Sequence, residues 1–154
     1  MPEPERETRS VAETEALGEA LAAELSPRDV VYLEGDLGAG KTAFARGLAR
    51  GLGASEREVA SPTFALLHEY AGASGAVVLR HLDLYRLADS PRELEVLGLP
   101  GSMEGAPVCV EWPREALRRL LPPTVEVRID TKPGGEGRRV SIRRGESVSA
   151  RTPR

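Results

Sequence analysis

The 154-residue sequence contains no asparagine and no glutamine, a single cysteine, and only two lysines among 21 basic residues. Each shortage excludes something. One cysteine, Cys109, permits neither a disulfide framework nor a cysteine-based zinc site, which favours a reducing compartment. Cys109 stands between Val108 and Val110 in an apolar run and reads as a buried structural thiol. A lack of thermolabile amides follows from either a hot-growing source or a GC-rich genome. No apolar run is long enough to span a membrane, and the acidic, polar start has no signal-peptide core, so the expectation is a cytoplasmic protein. Aromatic residues make up 4% and the net charge is -3, which argues against independent nucleic-acid binding.

What is present suggests one domain of ordinary size. Residues 1–9 are expected to be flexible, 10–144 to form the domain and 145–154 to be a disordered tail. Ser10-Val11-Ala12-Glu13 reads as a capping box, followed by Leu17, Leu21 and Leu25 at helical spacing. Val30 to Leu33 has strand character, and a helix is expected from Lys41 to about Leu52. Phe64 to Tyr70, Val77 to Asp83 and Val108 to Glu111 read as further strands. Ser90 to Glu93 is a second capping box, and Arg114 to Leu121 a helix stopped by Pro122-Pro123. Val125 to Asp130 and Arg139 to Arg143 alternate like a closing hairpin. Strands alternating with helices imply an α/β domain whose central sheet is largely parallel and flanked by helices, with a C-terminal hairpin.

Between the first strand and the second helix lies Gly35-Asp36-Leu37-Gly38-Ala39-Gly40-Lys41-Thr42, a Walker A motif in its required context. Glycines let the backbone curl until successive amides form an anion-binding nest. The helix N-terminus adds positive potential. Lys41 suits the β- and γ-phosphates and the Thr42 hydroxyl suits magnesium. Such a loop needs a carboxylate at a neighbouring strand end. Asp83 and Glu111 both qualify, and the pattern does not choose between them. Without glutamine or asparagine there is neither a water-positioning glutamine nor an Asn-Lys-x-Asp guanine reader, so adenine is favoured and unaided hydrolysis is expected to be slow. The motif alone also fits a small-molecule or nucleotide kinase, or an ATP-dependent scaffold.

Four segments taken together are more specific. The Walker motif, Ser61-Pro62-Thr63-Phe64, His81-Leu82-Asp83-Leu84-Tyr85-Arg86 and Glu111-Trp112-Pro113 occur in the order and spacing that resemble the TsaE family. The resemblance runs from about Thr14 to Arg143. It implies a P-loop ATPase that supports threonylcarbamoyladenosine formation on tRNA beside the anticodon. It also implies two partner proteins, of sugar-kinase-like and glycoprotease-like folds, that carry the transferase chemistry. By position, Thr42 and Glu111 would ligate magnesium, while Asp83 and Thr63 would lie in switch-like segments near the γ-phosphate. Trp112 would pack near the nucleotide, and Val11 to Thr14 and Gly135 would approach the base and ribose. Two positions depart from the family: Ala43 replaces a common threonine, and Arg114 stands where an acid or glutamine is common.

Overall fold

The computed structural model describes residues 5–36, 38–60, 66–85, 92, 95, 98 and 101–150. Strands are β1 (Arg6–Thr8), β2 (Val30–Gly35), β3 (Leu67–Ala71), β4 (Val77–Asp83), β5 (Val108–Glu111), β6 (Val125–Thr131) and β7 (Arg138–Arg144). Helices are α1 (Val11–Ala22), α2 (Lys41–Gly51), α3 (Glu56–Ala60), α4 (Glu115–Leu120) and α5 (Glu146–Ser149), with a 3-10 turn over Gly101–Met103. The strands form one seven-stranded sheet in the order β1-β7-β6-β2-β5-β4-β3.

Strands β6, β2, β5 and β4 run parallel through the middle. β3 closes one edge antiparallel, and β7 and β1 close the other. The expected parallel centre and closing hairpin are both present. Central strands must be apolar on both faces, and β2 shows why this segment is central. Its Val31 and Leu33 enter one core with Phe44, Leu48 and Leu21, while Val30 and Tyr32 enter the other with Val110, Leu82 and Leu117. The Tyr32 hydroxyl stays satisfied by donating to the Leu121 carbonyl at 2.6 Å. Cys109 is fully buried in the first core, and burial pushes its thiol well above the ordinary range.

Helix α1 starts at the expected capping box, with Ser10 as its N-cap, but the returning Glu13 carboxylate takes the amide before the cap rather than that of Ser10. The Glu13 amide donates to Ser10 Oγ at 3.1 Å, and the Glu13 carboxylate accepts from the Arg9 amide at 2.6 Å. α1 then packs against α2 through glycines. A Cβ on Gly18 would stand 2.3 Å from the Phe44 carbonyl oxygen, and one on Gly47 would stand 2.0 Å from that of Glu15.

Three short elements correct the expectations for the chain ends and middle. Residues 6–8, expected to be flexible, pair with Arg138 to Val140 as a strand. The signal is weak because only Thr8 of that strand is buried. Within the expected disordered tail, α5 forms and buries Val148 in the first core. α3 lies where no element was expected. The capping box at Ser90 to Glu93 and the segment Ser61 to Phe64 lie outside the described residues, apart from Arg92.

Candidate functional site

The site forms where the parallel strands end. β2 ends in Gly35, whose φ of 138° suits only glycine. A Cβ there would come within 1.8 Å of the Ile129 carbonyl oxygen, so β6 packs directly against the turn. The chain then curls back through Gly38 (φ 78°) and Gly40 (φ 111°), the latter being the N-cap of α2. Leu37 lies outside the described residues; Asp36 and Gly38 are exposed and Ala39 is buried.

Lys41, the first residue of α2, is only 4% exposed. Its ammonium donates to the carbonyls of Gly35 at 2.7 Å and Asp36 at 2.8 Å. It also lies 4.0 Å from the centroid of the Trp112 ring, a cation–π contact. Burial lowers its pKa from the ordinary lysine value, opposed by Glu111 and then by Asp36 and Asp83. The cation is therefore poorly hydrated and held by weak dipoles, a state that favours an anion.

Parallel pairing sets Glu111 beside both Leu33 and Asp83. Both strand-end carboxylates thus reach the loop, as their sequence positions suggest. They differ in environment. Glu111 is 4% exposed; its carboxylate accepts from the Thr42 hydroxyl at 3.4 and 3.5 Å and meets His81 Nε2 at 2.6 Å. Asp83 is exposed, and its Oδ1 accepts from the Tyr85 amide at 3.1 Å. Asp83, Glu111, Lys41, Thr42, Gly38, Gly40, Tyr85 and Trp112 line a cavity of about 310 Å³.

Trp112 is the only described non-glycine residue with positive φ, at 56°. The turn aims its ring at Lys41 and at Tyr85, whose ring centroid is 5.0 Å away. Arg114 then reaches back across the gap. Its Nη2 donates to the carbonyls of Leu84 at 3.0 Å and Tyr85 at 2.8 Å, tying the chain after β5 to the chain after β4.

A second cavity, of about 750 Å³, adjoins the other side of the loop. It is bounded by Gly38 to Gly40 and Ala43, by Arg9, Ser10, Val11 and Thr14 at the start of α1, and by Lys132 and Gly135 to Arg138 between β6 and β7. The structure thus brings Val11, Thr14 and Gly135 to one place beside the glycine loop. Thr63 lies outside the described residues. The contacts of His81 and Arg114 were missed in the sequence because they depend on register between strands distant in the chain. The place of Lys132 in this cavity was missed because it depends on the hairpin's position.

A strand, a glycine turn with its lysine, a helix and two strand-end carboxylates on a parallel sheet define a P-loop nucleoside-triphosphatase domain. Residues 8–140 match the family model for threonylcarbamoyl adenosine biosynthesis protein TsaE. The chain belongs to the TsaE family. It is 44% identical over 128 residues to a Bacillus subtilis protein named tRNA threonylcarbamoyladenosine biosynthesis protein TsaE, covering 82% of this chain and 76% of that one. A Rickettsia conorii protein of the same name is 39% identical over 121 residues, covering 79% of this chain and 67% of the relative. The crystal structure of Bacillus subtilis YdiB superposes with a TM-score of 0.71 at 29% identity, covering 97% of this chain and 92% of that one.

Proposed function

We propose that this chain binds ATP with magnesium at the P-loop and hydrolyses it as the ATPase subunit of the cytoplasmic machinery that forms threonylcarbamoyladenosine on tRNA. The observation that carries the reading is the convergence of Lys41, Thr42, Glu111 and Asp83 on one cavity beside a glycine turn. The names of the relatives supply the biological setting.

The donor set fits magnesium. Among the described residues no three of His, Cys, Asp or Glu gather into a metal cage. Magnesium is commonly held by one or two carboxylates, a hydroxyl and substrate phosphates, with waters completing its shell. Thr42 and Glu111 are the residues that would hold it. When bound, magnesium neutralises charge on the phosphate oxygens.

The remaining steps belong to the chain. The amides of Asp36 to Thr42, with Leu37, Gly38, Ala39 and Gly40 between them, receive the phosphates. Lys41 exchanges its carbonyl partners for β- and γ-phosphate oxygens, with the Trp112 ring beside it. Asp83 and Thr63 act at the γ-phosphate, orienting water and reporting its loss. Val11 and Gly135 flank the cavity that receives base and ribose. Hydrolysis alone is slow, and it resets two partners of sugar-kinase-like and glycoprotease-like folds. Recognition of tRNA belongs to them. The test is phosphate release from ATP by the chain alone and with both partners. The expected result is slow, magnesium-dependent release that rises with the partners. Phosphate transfer to an acceptor, without release, would instead identify a kinase.

A further inference from the structure

We propose that His81 is a positioning residue for the metal site: its imidazole fixes the Glu111 carboxylate where it meets Thr42. The inference rests on the ATP–magnesium reading above and adds a residue to it.

Residues two apart on a strand share a face. His81 and Asp83 of β4 therefore lie on one side, and Glu111, in register with Asp83, is the diagonal neighbour of His81 across the parallel pair. The two side chains meet at 2.6 Å, between His81 Nε2 and Glu111 Oε2, and are 2% and 5% exposed. A carboxylate at that depth is costly unless hydrogen-bonded. The Thr42 hydroxyl, at 3.4 and 3.5 Å, is a long and weak donor. His81 provides the short contact and therefore selects the rotamer of Glu111. Donation from Nε2–H requires only the matching tautomer, with no charge on the ring.

The imidazole is itself restrained. Its ring is nearly parallel to that of Tyr70, at 15° and 6.5 Å between centroids, and Tyr70 meets the His68 ring edge-on at 4.3 Å. β3 thus backs the histidine that orients Glu111. Outer-shell partners of metal ligands commonly change metal affinity by about 10- to 100-fold when removed.

Calorimetric titration of a non-hydrolysable ATP analogue at graded magnesium concentrations reads this without turnover. In His81→Phe, which keeps a ring and removes the donor, the magnesium concentration for half-maximal tightening should rise about 10- to 100-fold. Metal-free nucleotide affinity should be unchanged. His81→Gln, whose amide N–H reaches towards the same place, should recover most of the loss. An unchanged magnesium midpoint in His81→Phe overturns the proposal. So does equal loss of metal-free and metal-dependent binding in both variants, since that marks a purely structural residue. Should His81→Phe not fold, His81→Asn, too short to reach Glu111, must show the same rise, and a wild-type midpoint there overturns the proposal. Wild-type protein without magnesium-dependent tightening overturns the ATP–magnesium reading and this inference together. A metal-dependent wild type beside an unshifted His81→Phe removes only the role of His81.

Discussion

Lys41 holds a buried charge on two loop carbonyls and one aromatic face, so its value to the fold is small compared with its value to an anion. Lys41→Ala should abolish nucleotide binding by calorimetry while leaving the far-ultraviolet circular dichroism spectrum intact; a lost spectrum would make the lysine structural. The two carboxylates should separate in a magnesium titration of phosphate release. Glu111, buried against Thr42, should set the magnesium requirement, so Glu111→Ala raises the concentration needed. Asp83, exposed in the cavity, should affect the rate at saturating metal instead. The opposite pattern exchanges their roles. Gly35 tolerates no side chain. Its Cβ would meet the Ile129 carbonyl oxygen at 1.8 Å from a φ of 138°, so Gly35→Ala should destabilise by roughly 3 kcal/mol or more in chemical denaturation.

Elements rather than residues explain how the two carboxylates stay aligned. Arg114 bonds both carbonyls that follow β4, so the β4 and β5 exits move as one piece. Arg114→Gln should leave the fold intact while speeding amide hydrogen exchange in the segment after β4; unchanged exchange there would remove the tether. The elements legible in the sequence were those with strong local patterns. The capping box of α1, the apolar run of β2, the glycine loop and the β6–β7 alternation each carry their own signal. Those that escaped have little signal of their own. β1 is Arg-Glu-Thr with one buried residue, recognisable only through its pairing with β7. α3 has five residues and α5 four, the latter anchored by Val148 alone. The site was half legible for the same reason. The loop's residues are contiguous, whereas the contact of His81 with Glu111 exists only once β4 and β5 are in register.

The whole molecule has an alkaline limit set by two buried phenols together with the buried Cys109 thiol, whose ordinary value lies lower. Burial pushes Tyr70 up to about 12 and Tyr32 higher still. Both hydroxyls keep their protons in the folded state above pH 10, while the unfolded chain loses them. Their contribution is complete below the ordinary tyrosine value and is lost as pH rises through the folded value. A gap like that of Tyr70 corresponds to roughly 3 kcal/mol. Denaturation midpoints should therefore fall steeply between about pH 10 and 12, and Tyr70→Phe should flatten that fall. At neutral pH the net charge of -3 gives the chain little hold on polyanions. A fluorescence titration with tRNA at physiological salt should show weak binding or none for the chain alone, and tight, salt-sensitive binding would make it a direct tRNA-recognition subunit.

The chain's two lysines both line cavities at the glycine loop: Lys41 beside Thr42 and Glu111, Lys132 beside Gly135 and Val11. Apart from the α-amine, a reagent selective for primary amines therefore has no side-chain target elsewhere in the molecule. Acylation followed by mass spectrometry becomes a two-channel occupancy gauge. One channel reports the cavity beside Thr42 and Glu111, and the other the cavity on the far side of the glycine loop. A ligand filling both cavities should slow both reactions together. Inorganic phosphate should protect Lys41 and leave Lys132, held to Glu7 at 2.9 Å, reacting at its unliganded rate.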